Sequence, residues 1–578
     1  MKDKCRIGVY ICNCGTNIAR VVDCEQVCQE VGTLPGVAVA RAYKYMCSNP
    51  GQEMIIHDIK EQMLDRVVVA ACSPRMHEPT FRKALEASGL NPFMLEMANI
   101  REQCSWVHDD PQSATRKAID LTHAAIRRVQ LHEPLEKQEA PYTPTTLVLG
   151  GGIAGLTVAM ELAEAGQQVI LVEREDRLGG NVGRVDLTAP YLDSARDILT
   201  EKIVRAEASP RVEVLLNTRL TELKGFVGNF TATVEDDTGL AGDRAVGGVV
   251  VCTGYRPFDA GRIGSLGYGR LPDVITSFEL EQQLRTGKLK TRDGKTPRYV
   301  SIVHCVGSRN ARYHTYCSRV CCMTALKYGH EIKSAIPEAM ITDVYVDMLS
   351  FGKGGEDLYR RTSELKTMFL MYEKEDYPKV RSAEPEDDCG MLLQVREKLS
   401  GVTIDVPADM IVLMVGMEAR HDGDEVARVV GISQDAEGWF IESHPKLAPV
   451  STPTDGVFIA GACQSPKDIP DTVAQARAAS AMILAYIAQG KVEVDARFAE
   501  VDEDRCSGCR MCNELCPYTA IIYDDETGRS AVQSALCKAC GTCVAACPSG
   551  AIKARHFTDE QIIEQIEGVL AWGSNQPS

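Results

Sequence analysis

Eight cysteines towards the carboxyl end have a spacing that leaves little choice of chemistry. Cys506, Cys509, Cys512 and Cys516 are separated by two, two and three residues and followed by Pro517; Cys537, Cys540, Cys543 and Cys547, followed by Pro548, repeat the pattern. A loop of this kind wraps three thiolates around one iron–sulfur cube and sends the fourth to the other cube. One 4Fe–4S cluster then takes Cys506, Cys509, Cys512 and Cys547, and the second Cys537, Cys540, Cys543 and Cys516. Paired zinc ribbons use separated two-cysteine knuckles and need neither the third cysteine nor the proline. Crossed ligation keeps the cubes close, so this segment reads as an electron wire.

A second chemistry lies near residue 150. Thr146–Leu149 reads as a strand running into Gly150-x-Gly152-x-x-Gly155, and Ile153 and Ala154 open the helix that follows. Gly150 makes the tight turn, Gly152 admits a pyrophosphate to the backbone, and Gly155 lets helix and strand pack closely. The helix N-terminus presents free N–H groups to phosphate. A second strand ends at Glu173 and Arg174, where the carboxylate can hold the adenosine ribose hydroxyls.

Three further segments point to FAD rather than NAD. Arg177–Gly180 (RLGG) resembles the continuation found in flavoproteins with two dinucleotide-binding folds. Val249–Pro257, with Thr253 and Gly254, resembles their strand and turn, and Thr452–Cys463 their late flavin motif. That motif usually ends Gly-Asp, whereas Gly461-Ala462 stands here. Asp471–Gly490 then reads as a helix aimed at the flavin ring. Lys467 and Asp468, just before it, are placed to tune the flavin, the lysine by offsetting negative charge on its reduced forms.

Such flavoproteins carry a second dinucleotide fold for NAD(P)H. The matching stretch here, from RYVSIVHCV onwards, has strand, helix and strand but no glycine fingerprint. In its place stand Cys305, Cys317, Cys321 and Cys322, four thiols within 18 residues at a strand end and a helix start. They are suited to a cluster, whose negative charge a helix N-terminus favours. Four more strands are readable before residue 100, and cysteines follow each: Cys12 and Cys14, Cys47, Cys72, and Cys104. Ligands of open α/β sheets gather at strand carboxyl ends, so a fourth cluster is expected there, on four of these five. Cys5, Cys24, Cys28, Cys252, Cys389 and Cys463 have no partner set and read as structural, Cys463 lying closest to the flavin motif. His77 reads as a capping or core histidine.

The elements that must position these groups need several domains. A chain of 578 residues predicts about three or four. The expected division is an N-terminal α/β domain (1–135), an FAD domain in two parts (143–296 and 401–495), a degenerate nucleotide-binding domain between them (297–400), and a ferredoxin-like domain (496–578). Residues 558–572 read as an amphipathic helix with Ile562, Ile563, Ile566, Val569 and Leu570 on one side, to be docked on its own fold or on a partner subunit. The charge of −17 and the 6% aromatic content argue against nucleic acid and anionic membranes. The glycine-broken run around residue 150 is no membrane span. No signal-peptide pattern opens the chain, and 23 cysteines fit metal and redox chemistry in the cytoplasm better than disulfides.

The blocks CNCGTNI, YMCSNPGQ, ACSPRMHEPTFR, NIREQCSWVH, HCVGSR with YCSRVCC, and CQSPKDIPDTVAQA together resemble the A-type polypeptide of heterodisulfide reductase over nearly the whole chain. The resemblance implies an oxidoreductase subunit with FAD in a thioredoxin-reductase-like α/β domain among about four 4Fe–4S clusters, one of them on Cys305, Cys317, Cys321 and Cys322 beside the flavin. It implies flavin-based electron bifurcation, a homodimer within a hetero-oligomer, and as partners B- and C-type subunits, a hydrogenase- or dehydrogenase-linked donor, and ferredoxin. Related proteins serve as electron-input subunits of other low-potential reductases, such as class II benzoyl-CoA reductases. A stand-alone NAD(P)H-oxidising flavoenzyme or redox sensor is the third reading. Longer family members insert a ferredoxin domain after the first flavin segment, whereas Gly254–Pro297 here contains no cysteine.

Overall fold

A computed structural model describes residues 5–494, 496–518 and 520–573. The chain forms two compact units: Ala140–Val492 is one, and Met1–Glu139 joins Glu493–Ser578 in the other.

The larger unit builds one design twice. Thr146–Leu149, Val169–Val172, Gly248–Val251 and Val457–Ile459 are short, valine-rich and buried along their length, as strands covered on both faces must be. With Val212–Leu215 they form a parallel sheet ordered 212–215, 169–172, 146–149, 248–251, 457–459. A three-stranded antiparallel sheet (Thr218–Phe226, Asn229–Asp236, Ala241–Val246) completes this half. The second half repeats the plan. Its five parallel strands run in the order Val274–Thr276, Met410–Val415, Tyr299–Val306, Met340–Tyr345, Met368–Met371, again with a three-stranded antiparallel sheet. The chain crosses between the halves twice, and the crossings pair antiparallel, Arg256–Pro257 against Met417–Glu418.

The second half is therefore longer than the division at 297–400 expected. Val274–Thr276 lies before it and Met410–Val415 after it, yet both hydrogen-bond into the second sheet. A three-residue edge strand carries almost no period-2 signal. What marks the place is the capping box that follows, Thr276 with Glu279, which starts the helix Ser277–Arg285.

In the smaller unit the expected strands before residue 100 form one parallel sheet, ordered Val37–Tyr43, Ile7–Cys12, Arg66–Ala71, Leu95–Asn99. Ile7, Val9 and Ile11 bury against the helices Cys24–Gly32 and Pro111–Val129. Tyr10 and Cys12, on the other face, bury with residues of Asn49–Glu61 and Pro74–Ser88. The ferredoxin-like part has paired strands Ala499–Val501 with Ile552–Ala554 and Ile521–Asp524 with Arg529–Val532, and the short helices Met511–Leu515 and Thr542–Ala546. Its C-terminal helix, Asp559–Gly573, lies along Pro111–Val129.

The glycine turn is the tightest spot in the larger unit. Gly150 has φ +108°, and a Cβ on Gly155 would stand 1.9 Å from the Gly150 carbonyl oxygen. Gly155→Ala should therefore push helix and turn apart and cost about 1–3 kcal/mol, the usual range for overpacking. A denaturant midpoint unchanged from the parent would show that the turn absorbs the methyl.

Candidate functional site

The fold turns the glycine strand, the Val249–Val251 strand end and the helix Ile469–Gln489 onto one large cavity of about 1740 Å3 in the larger unit. Gly150, Gly152, Ile153 and Ala154 line it at the turn, and nothing stands within 4 Å of where a Cβ on Gly152 would be. Gly155 is absent from the lining because it packs against Gly150 from behind. Glu173 is buried at the edge, its carboxylate accepting from the Gly151 N–H at 2.7 Å and the Glu175 N–H at 2.9 Å. Arg174 also lines the cavity but is paired with Asp422, which Arg420 shares; against the upward push of burial, these arginines hold the Asp422 carboxyl low.

Gly180, Thr253, Gly254, Lys467 and Asp468 also line it, and a Cβ on Gly180 would come 3.3 Å from the Gly152 Cα. Asp468 accepts from the Asp471 N–H at 2.8 Å, so the helix starts at Ile469, two residues earlier than expected, with this aspartate as its cap. Lys467 donates to Gln464 and Ser465, both at 2.8 Å, and burial pushes its ammonium below the ordinary lysine value. Gly461 (φ +84°) lies behind the lining, its N–H bound to Gln475 at 2.7 Å, and Ala462 faces the cavity in its stead. Cys463, expected nearest the flavin, is buried below, donating to the carbonyls of Val251 and Ala460; Cys252 lines the cavity instead. The open glycine turn, the adjoining helix N-terminus and a carboxylate at the next strand end are the features an FAD dinucleotide needs.

Cys305, Cys317, Cys321 and Cys322 come together at the carboxyl end of Tyr299–Val306 and the start of Cys321–Ala335. Each of Cys305, Cys321 and Cys322 is buried. Burial first, then the neighbouring Cys322 and Cys317, push the Cys305 thiol up to about 12, and Cys321 is raised by burial and by the other three. Two cations stand beside this set, and the sequence alone did not single out either. Arg309 pairs with Asp347 at 2.5 Å and reaches towards Cys305 and Cys317. His304 would be lowered by burial, but Asp343 at 2.5 Å and Cys322 raise it to about 10. In return His304 outweighs the effect of burial on Cys322 and brings that thiol below its ordinary value. The Arg319 N–H donates to Cys317 Sγ at 3.3 Å. Cys321 also lines the large cavity. Cationic neighbours and N–H donors stabilise thiolates and the anionic cluster that they hold.

The N-terminal thiols divide in a way the sequence left open. Cys12, Cys14, Cys47 and Cys72 act on one another. Arg101 stands among them, 3.8 Å from Cys14 Sγ and close to Cys47 and Cys72. Cys104 is not in this group. It sits in the π-helical turn Arg101–Ser105, buried in the core, with Lys117 and Asp120 as its charged neighbours. That turn carries Arg101 to the thiols on one side and Cys104 into the core on the other. His77 stands near Arg101 and Glu102, half-buried in the helix Pro74–Ser88.

In the ferredoxin-like part the two cysteine loops are near-copies. Gly508 and Ala539 both have positive φ, as do Arg510 and Gly541, each pair at matching positions. The Ala520 N–H donates to Cys516 Sγ and the Ala551 N–H to Cys547 Sγ, both at 3.3 Å. Burial, then Cys537, Cys516 and Cys540, push Cys543 up to about 11, so the fourth cysteine of the first loop is a neighbour of the second loop's thiols. Among the described residues no three His, Cys, Asp or Glu side chains converge as ligands of a single metal ion do. The thiolates of a cube each bind a different iron and stand farther apart.

A family model described as FAD dependent oxidoreductase matches residues 145–185, and one described as 4Fe-4S dicluster domain matches 505–552. The A-type iron-sulfur subunit of the CoB–CoM heterodisulfide reductase of Methanocaldococcus jannaschii is 38% identical over 650 aligned positions, covering 98% of this chain and 98% of its own. This chain belongs to the A-type family of heterodisulfide reductase subunits. The second A-type iron-sulfur subunit of the Methanopyrus kandleri enzyme is 40% identical over 91% of this chain and 92% of its own. The A-type subunit of the H(2):CoB-CoM heterodisulfide,ferredoxin reductase of Methanothermobacter thermautotrophicus is 39% identical over 98% and 97%. The solved thioredoxin reductase of T. acidophilum aligns with 60% of this chain and 100% of its own at 14% identity and a TM-score of 0.41. This family member is an oxidoreductase subunit that holds FAD and iron–sulfur clusters, on an α/β fold with two five-stranded parallel sheets in its larger unit. Among the described residues no helix is long and apolar enough to cross a membrane.

The separation of Cys104 from the other N-terminal thiols gives a direct test. Cys72→Ser should lower iron by about four atoms per chain, one cube's worth, whereas Cys104→Ser should keep full iron and lose only some thermal stability. Equal iron loss in both variants would put Cys104 among the ligands.

Proposed function

We propose that this chain is the electron-transfer hub of a heterodisulfide-reductase-type complex, linking one FAD to four 4Fe–4S clusters and dividing electron pairs between a high- and a low-potential acceptor. The observation that carries this reading is the set Cys305, Cys317, Cys321 and Cys322, gathered at the strand end where the second dinucleotide fold would take a nucleotide. The loop there spans 307–320 in place of a short glycine turn. A Cβ on its first residue, Gly307, would lie 2.2 Å from the Phe258 ring.

In this reading Gly152 and the start of Ile153–Glu164 hold the pyrophosphate, and Glu173 the adenosine ribose. Lys467, at the start of Ile469–Gln489, offsets negative charge at the ring end. Bound FAD supplies the exchange between two-electron and one-electron chemistry. Cys321, on the cavity wall and in the thiol group, is the chain's link between flavin and cluster. Cys12, Cys14, Cys47 and Cys72 hold the N-terminal cluster, and the two ferredoxin cubes follow the crossed assignment. B- and C-type subunits, a hydrogenase- or dehydrogenase-linked donor and ferredoxin are the partners, in the cytoplasm. A second reading, the electron-input subunit of another low-potential reductase, is favoured by one feature: Gly254–Pro297 has no cysteine to hold a further cluster.

Three measurements test the proposal. Protein purified without oxygen should contain one FAD and about 16 iron atoms per chain, four cubes of four; iron near half that value confines clusters to the ferredoxin-like part. NADH and NADPH should leave the flavin oxidised in stopped-flow mixing, and Cys321→Ser should lose one cube while keeping FAD. Rapid bleaching by either nucleotide would falsify the replacement of the nicotinamide site. Lys467→Ala should keep FAD but lower its midpoint potential by roughly 30 mV, equivalent to about 1.4 kcal/mol for a two-electron couple. An unmoved potential would separate this lysine from the ring.

A further inference from the structure

The C-terminal helix is packed with its apolar side outwards. Gln561, Glu564, Gln565 and Gly568 fall on one side of Asp559–Gly573 at 3.6 residues per turn, and this is the side laid against Pro111–Val129. Arg127 pairs with both Glu564 and Glu567, at 2.5 and 2.8 Å. Arg128 Nη1 reaches Gln565 at 3.4 Å, and His123 Nδ1 the Gly568 carbonyl at 2.8 Å. A Cβ on Gly568 would stand 2.7 Å from the Ala124 Cα, so the backbones meet closely there. The opposite side carries Ile562, Ile563, Ile566, Val569 and Leu570, between 40% and 65% exposed. A helix held to its own domain by polar groups, with five branched aliphatics left in water, has the stripe that a helix offers to a groove.

The charges around the stripe select its occupant. Asp559 and Glu560 stand at its N-terminal end, Glu567 lies at its border, and residues 559–570 contain no Lys or Arg. A second copy would bring a chain of net charge −17 against another of the same sign. We infer that this face docks a different protein subunit, one that presents an apolar groove rimmed by Lys and Arg. The inference rests on reading the chain as one subunit of a larger assembly. It places the contact within the same compact unit as the two ferredoxin cubes.

Hydrogen exchange on the complex isolated with its natural partners, compared with the chain alone, tests it. Amides of 559–570 should exchange at least tenfold more slowly in the complex. Ile563→Lys with Ile566→Lys should abolish both the slowing and the co-isolation of subunits, while iron and FAD content stay at the parent value. That last readout separates a failed docking site from a failed cofactor assignment. Asp559→Lys with Glu560→Lys should weaken association at least tenfold at low salt and less at high salt. Three outcomes overturn the inference: subunits that co-isolate without slowed exchange, slowed exchange in the lone chain as its mass doubles with concentration, and isolation of the chain with no partner.

Discussion

A parallel strand ends with its peptide groups unpaired and the following helix not yet begun, and all the chemistry of the sheet domains is placed at such ends. Free N–H groups and the positive end of a helix favour anything negative. Different side chains stand at that opening in each sheet. At Thr146–Leu149 three glycines clear the backbone for a dinucleotide. At Tyr299–Val306 the same position is filled by thiols, and the sheet of the smaller unit gathers Cys12, Cys14, Cys47 and Cys72 at its carboxyl edge. The glycines and the cysteines are alternative answers to one electrostatic situation.

Thiolates gathered in a buried place repel each other, and burial penalises each of them. The structure offsets this locally. Arg309 and His304 serve the central group, Arg101 the N-terminal one, and backbone N–H groups the ferredoxin loops. His304 is itself held by buried Asp343 at 2.5 Å, so its charge is anchored from behind. These supporting groups fix where negative charge is tolerated.

Much of this was readable from the residues. The ferredoxin loops, the glycine turn and Glu173 announce themselves because chemistry fixes both residue type and spacing. The strands before residue 100 were visible as short, largely apolar runs. Supporting cations were not: Arg101, His304 and Arg309 are distant in sequence from some of the thiols they serve, and nothing in their spacing marks them. Cys104 looked like its neighbours because sequence shows that it follows a strand but not which way a π-helical turn faces it. The first boundary of the second nucleotide fold was misplaced because its edge strand, Val274–Thr276, is only three residues long. The C-terminal helix was correctly seen as amphipathic, but periodicity does not say which side meets the protein.

The smaller unit is made from both ends of the polypeptide, with all of Ala140–Val492 between them. During synthesis the first 139 residues leave the ribosome long before their companions exist. The helix Pro111–Val129 meets its ion-pair partners for Arg127 only in the C-terminal helix, and His132 stacks on the ring of His556 at 4.2 Å. Closing so long an intervening stretch costs little extra if that stretch has already folded and brought its own ends near. A chain cut short near its end would leave the N-terminal sheet domain without the helix that packs on Pro111–Val129.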